Sequence, residues 1–131
     1  MKYKTTKSEI SKVIKESLLR ILKVRPDSRT ESVQLESVKQ DGWTIQYIKN
    51  PTEAVQLEAV KHDGYTIVHI KNPSEAVQLE AVKQDSLAIQ YIKNPSEAIQ
   101  LEAVKKHGSV IEWIKNPMEK VKQYHNMLWK I

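Results

Sequence analysis

Four histidines, sixteen carboxylates and twenty-one basic side chains are the groups in this 131-residue chain that could do chemistry, and it has no cysteine. His62, His69, His107 and His125 form no H-x-x-x-H or H-E-x-x-H pattern, and without thiols no zinc set can be completed from them. The missing cysteines also exclude a disulfide framework. Glu58 and Lys61 stand three apart and recur in register, which marks them as surface pairs of a helix worth a few tenths of a kcal/mol. A catalytic carboxylate is a singular, desolvated group. A carboxylate that recurs four times in register does not answer to that description. No phosphate-binding glycine loop and no nucleophile elbow occurs. The sequence therefore reads as non-enzymatic, with no cofactor and no metal.

What remains is recognition chemistry. Tyr47, His69, Tyr91 and Trp113 are spaced 22 residues apart, and Trp43, Tyr65, Leu87 and Ser109 form a second series four residues earlier. Four apart, Trp43 and Tyr47 lie on the same helical side, with Ile45 and Ile48 pointing largely elsewhere. A third series is Lys49, Lys71, Lys93 and Lys115. The aromatic series either stacks between neighbouring units or forms a recognition surface. Differences among otherwise similar units cluster here, at Gln46, Val68, Gln90 and Glu112 and at the rings themselves. Framework positions are held by packing, whereas contact positions are free to differ. Candidate partner-binding residues are thus Trp43, Tyr47, Tyr65, His69, Gln90, Tyr91, Glu112 and Trp113. Candidate contacts to phosphate or to an acidic partner are Lys12, Lys15, Arg20, Lys49, Lys71, Lys93 and Lys115.

The elements that must position these residues come from one repeated unit. Glu75–Ser96 matches Glu53–Ser74 at 16 of 22 positions, and four copies run from about residue 31 to 116. Val38, Val60, Val82 and Val104 align, as do Ile45, Ile67, Ile89 and Ile111, and Pro51, Pro73, Pro95 and Pro117 mark the joints. A fixed period in the twenties with apolar residues in register predicts a solenoid. Each unit reads as two helices. The first starts at Asn-Pro-Ser/Thr-Glu, with Asn as N-cap, Pro at the first helical position and Glu returning a bond to the cap. Asp63-Gly64 ends it, with Gly as a left-handed C-terminal cap, repeated at Gly42 and Gly108. Ser86 breaks that series, so a strained or different turn is expected there. The second helix, near Tyr65–Ile70, has fewer than two turns and is expected to be partly 3₁₀. Around the first helix, Ala54, Leu57 and Val60 occupy one face and Val55 and Ala59 nearly the opposite one. A helix sandwiched between repeats needs two such faces, and the small Ala54 and Ala59 permit close approach.

The ends differ from the array. Residues 1–30 carry nine Lys/Arg against three Asp/Glu, and residues 31–122 carry eleven Lys against thirteen Asp/Glu. The basic segment holds a helix with Ile10, Val13, Ile14, Leu18, Ile21 and Leu22 on one side, stopped by Pro26. After Pro117, Val121, Tyr124, Leu128 and Trp129 predict a one-sided closing helix. The expected architecture is an all-α domain: a basic N-terminal capping helix and joint (1–30), a solenoid of four two-helix 22-residue repeats (31–116) and a C-terminal capping helix (117–131). No apolar run reaches the roughly 18–20 residues that span a bilayer, and no signal peptide is evident, so the expectation is a cytoplasmic protein without membrane contact.

The motif Asn-Pro-Ser-Glu-Ala-Val-Gln-Leu-Glu-Ala-Val-Lys-Gln-Asp, at Asn72–Asp85 and in its siblings, resembles a short helical repeat of bacteria and viruses catalogued as a domain of unknown function. Members carry Leu-Glu-Ala-Val-Lys-Gln-Asn-Gly-like cores, close to Leu57–Gly64. The likeness covers about 31–122; it implies a helical repeat and supplies no activity. There is a weaker resemblance to leucine-rich variant repeats, which alternate α and 3₁₀ helices. Near-identical repeats in a small, lysine-rich chain also look phage-like. Three partner classes follow. The first is a protein partner, which for a phage-borne chain in the host cytoplasm means occluding a host defence or regulatory protein. The second is nucleic acid, through the basic end and the lysine series. The third is a second copy, through Ile10/Val13/Ile14 or Leu128/Trp129.

Overall fold

The computed structural model describes residues 9–14, 16–17 and 30–129. Over the described residues 30–129, five α-helices alternate with four 3₁₀ helices: α1 (Glu31–Gln40), η1 (Gly42–Tyr47), α2 (Glu53–His62), η2 (Gly64–His69), α3 (Glu75–Gln84), η3 (Ser86–Tyr91), α4 (Glu97–Lys106), η4 (Gly108–Trp113) and α5 (Glu119–Trp129). Residues 9–14 and 16–17 are also helical, and no strand occurs among the described residues. Each α-helix packs on the next α-helix and each 3₁₀ helix on the next 3₁₀ helix. The chain is an all-α solenoid of two layers, with the core between them.

The α-helices that follow Asn-Pro start two residues later than the sequence reading places them. Thr30, Thr52, Ser74 and Ser96 are the N-caps, and their hydroxyls accept from the third helical N–H, at Val33, Val55, Val77 and Ile99. Asparagine is not the cap. Asn72 has φ 55°, a left-handed conformation that Asn tolerates better than most residues; it turns the chain before Pro73. Glu75 then sits at the first helical position, where it suits the helix dipole, and its Oε1 accepts from Ser96 Oγ of the next unit at 2.6 Å. A polar clip fastens the joint. Gln56, Gln78 and Gln100 each donate from Nε2 to the carbonyl of Pro51, Pro73 and Pro95, at 2.9–3.0 Å. Gln100 Oε1 also accepts from Met118 N–H.

No described glycine has positive φ, so the left-handed cap is replaced by another device. The first helix ends on an aspartate in extended conformation, as at Asp63 with φ −156° and ψ 115°. That residue serves both helices. Its N–H donates to Ala59 O, and its Oδ1 accepts from Tyr65 N–H at 3.0 Å, opening the 3₁₀ turn. Glycine follows for lack of space: a Cβ on Gly64 would lie 2.5 Å from Ala81 O, and one on Gly42 would lie 2.8 Å from Ala59 O. Ser86 does not bring the different turn expected of it. Asp85 takes φ −147° and ψ 112° and caps Leu87 N–H as its siblings do. The Ser86 hydroxyl meets His107 Nδ1 at 3.0 Å, and His107 stands in the fourth unit where the others have Asp.

The two opposed apolar faces merge into one broad arc. Val55, Ala59 and Val60 are fully buried, Gln56 and Leu57 are half-buried, and Ala54 is exposed, as are Ala76 and Ala98. An α-helix in this stack meets a neighbour on either flank and the 3₁₀ layer in front, so about half its circumference is covered and residue 54 faces outward. Ala59, with its equivalents Ala81 and Ala103, is the small residue at the close approach. At the C-terminal end Val121 is fully buried and Tyr124 partly so. The Trp129 ring lies against Gly108, where a Cβ would come within 2.5 Å of it. Leu128 remains exposed, as do Ile10, Val13 and Ile14.

One buried hydroxyl lacks a partner. Thr44 Oγ1 makes no hydrogen bond among the described residues, whereas Thr66 Oγ1 donates to Asp63 O at 2.8 Å and the other two units place Ala88 and Val110 there. Thr44→Val keeps the shape and removes the orphan, so it is expected to raise unfolding free energy by about 1–2 kcal/mol in denaturant titrations. Thr66→Val, which gives up a made bond, is the control and should bring no gain.

Candidate interaction surface

A six-residue 3₁₀ helix eclipses side chains three apart, and this sorts the aromatic series differently from an α-helical wheel. Ile45 and Ile48 coincide and are buried, as are Ile67 and Ile70, and Ile89 and Ile92. Trp43 falls in line with Gln46, whose Nε2 donates to Trp43 O, and does not share a side with Tyr47. The second position of each 3₁₀ helix is half-buried in the first three units, and the fifth is exposed in all four.

The candidate rings divide into held and free. Trp43 Nε1 donates to Asp63 Oδ2 at 2.9 Å, and its ring meets the His69 ring edge-on, with centroids 5.5 Å apart at 79°. Tyr65 meets Tyr91 in the same way, at 5.7 Å and 72°. Both contacts run diagonally, from the second position of one 3₁₀ helix to the sixth of the next. Partial burial raises the Tyr65 phenol above its ordinary pKa, with Asp85, Tyr91 and Asp63 adding to the effect. In the third unit Leu87 replaces the ring, so among the described residues Trp113 has no aromatic neighbour of this kind. Trp43 and Tyr65 therefore have packing roles, and Tyr47 lies half-buried against the core. His69, Gln90, Tyr91, Glu112 and Trp113 are exposed; Tyr91 keeps 49% of its surface and Trp113 56%.

Between Tyr91 and Trp113 runs a groove of about 280 Å³. Its floor is made of the buried Ile89, Ile92 and Ile114 with Pro95, and Lys93 and Lys115 stand on its rim. A hollow of about 450 Å³ continues from it past the shared Tyr91 and Lys93 to Ile70 and Pro73. Lys49, Lys71, Lys93 and Lys115 are all exposed on this layer. Lys12 is exposed on the N-terminal helical segment, and Lys15 and Arg20 lie outside the described residues.

Charge is partitioned between the layers. The 3₁₀ helices with their following turns (42–52, 64–74, 86–96, 108–118) hold four Lys and one carboxylate, Glu112, for +3. The α-helices with their end residues (31–41, 53–63, 75–85, 97–107, 119–122) hold seven Lys and twelve Asp/Glu, for −5. The mild acidity of the array belongs to its α side, and the aromatic groove opens on a positive surface. The partition was legible in the repeat unit, which places Glu in its first half and Lys next to Asn-Pro.

Among the described residues no three His, Asp or Glu side chains gather as a metal site, and no helix is long and apolar enough to cross a membrane. The functional contribution of Gln56, Gln78 and Gln100 to the joint also escapes a reading based on apolar periodicity; the signal for it was a polar residue repeated unchanged in every unit. Comparison with protein-family models, with curated proteins and with solved structures gives no match to this chain.

Proposed function

We propose that this chain is a non-enzymatic interaction module that binds another protein across its 3₁₀ layer. The observation that supports this reading is a varied, exposed patch on the 3₁₀ layer. Val68/Gln90/Glu112 and His69/Tyr91/Trp113 differ from unit to unit, are exposed and lie next to one another, above a core of Ile67 and Ile89 that does not change. Large aromatics beside a shallow groove are the usual anchors of protein interfaces. The action is occlusion: a stiff stack covers a partner surface without bond chemistry. For a phage-borne chain the partner is a host defence or regulatory protein.

Photo-crosslinking in the source cells tests this. A crosslinker replacing Trp113 or Gln90 is expected to capture one discrete protein, and the same group at Lys105 on the α side is not. Trp113→Ala should reduce co-purification of that protein by about tenfold or more, as for a hot-spot aromatic, with the circular dichroism spectrum unchanged. Equal capture from both sides, or capture only of nuclease-sensitive material, would overturn the reading.

A further inference from the structure

We infer that the occupant of the Tyr91–Trp113 groove is an extended protein segment carrying an acidic pair flanking an apolar side chain. This deepens the protein-binding reading above and rests on it. Three features of the surface select this chemistry.

The first is lining. The groove of about 280 Å³ is bounded by Ile89, Ile92, Ile114 and Pro95 with Tyr91 and Trp113 beside them. It is open, with an aliphatic floor and two aromatic walls, which suits one inserted side chain such as Leu, Met or Trp. A bare phosphate would gain nothing from Ile89, Ile92 and Ile114.

The second is charge. The layer is +3 within an array that is net negative, so a partner is steered to this side by its own carboxylates. Lys93 and Lys115 flank the groove, one from each unit. Packed helices stand ~8–10 Å apart, and an extended polyproline-II chain advances ~3.1 Å per residue with three residues per turn, so side chains three apart share a side. Carboxylates about three residues apart therefore reach successive lysines, and a residue between them lies over the apolar floor. The resulting pattern is acid, two residues of which one is large and apolar, then acid.

The third is what the rings are doing. Nucleic acid without sequence preference binds on exposed ring faces along a uniformly basic track. Here the second-position rings Trp43 and Tyr65 are engaged edge-on by His69 and Tyr91, and Glu112 stands beside Trp113. One lysine per unit against one exposed ring fits a side-chain socket better than a base-stacking platform.

The test uses the full chain and synthetic probes, followed by Trp113 fluorescence in a Trp43→Phe, Trp129→Phe background. Probes are a flexible peptide with Glu-Leu-Ala-Glu at its centre, the same peptide with Gln for both Glu, the same with Ser for Leu, and an oligothymidylate of similar length. The Glu-Leu-Ala-Glu peptide is expected to bind at least about tenfold more tightly than the other three. Its affinity should fall about tenfold in the exposed charge reversal Lys93→Glu/Lys115→Glu and decline with added salt. Equal binding of the Gln peptide, or no peptide binding at all, overturns the acidic-segment inference. If crosslinking at Trp113 still captures a protein, the broader reading survives that result. Preferential binding of the oligothymidylate overturns both.

Discussion

Ile99→Ala is expected to lower the unfolding free energy by about 2–5 kcal/mol, the range for truncating a fully buried Ile to Ala. Ile99 lies in α4, between α3 and α5, and exposes none of its surface. Small domains hold about 5–15 kcal/mol in all, so one such cavity removes a large share. In a stack the loss also weakens both interfaces that α4 makes, because stability is carried between neighbours. Ile99→Val is the graded comparison. The equivalent residues are Val55 and Val77, both fully buried, so this position accepts the smaller side chain at about 0.5–1.5 kcal/mol. Ile10→Ala, on a surface-exposed isoleucine, is the control and should change little. Denaturant titration followed by circular dichroism measures all three; a loss below ~1 kcal/mol for Ile99→Ala would contradict the packing described for α4.

Gly64→Val carries the second large effect, for a reason unrelated to φ. A Cβ at residue 64 points at the Ala81 carbonyl oxygen from 2.5 Å and lies 3.3 Å from Asp85 N. Both are backbone atoms, so a side chain there must push α3 away as a unit. The cost is expected at or above the upper end of the roughly 1–3 kcal/mol typical of overpacking, read as a drop in melting temperature. The third unit shows how a Cβ can be accommodated: Ser86 is buried and its hydroxyl meets His107 Nδ1 at 3.0 Å. Ser86→Gly, which exchanges that bond for relief of crowding, should cost no more than about 1 kcal/mol. Similar losses for Gly64→Val and Ser86→Gly would remove the crowding argument.

Much of this structure is written locally. The short element's 3₁₀ tendency and the Val and Ile core positions are properties of windows a few residues wide, and the 22-residue period and the alternation of a longer and a shorter helix emerge when those windows are laid one unit on the next. Apolar spacing and turn residues report them directly. The Asn-Pro joint was legible as a boundary too, although the cap belongs to Ser or Thr two residues later.

Other features depend on how one unit sits against the next, and a single window does not contain that information. The rotation and spacing between units bring Trp43 to His69 and Tyr65 to Tyr91, residues 26 positions apart, and thereby turn two of the candidate binding rings into packing elements. The same approach makes Gly42 and Gly64 necessary where a helix-ending glycine was expected, and turns Ala54 outward while Ala59 is enclosed. Tyr91 and Trp113 stay exposed, beside a groove lined by two successive units. The sequence by itself determined the repeat, its helices and the residues available for recognition. The tertiary structure decided which of them meet a neighbour and which meet solvent, because burial of a ring is settled by the atoms across the interface and not by its place in the chain.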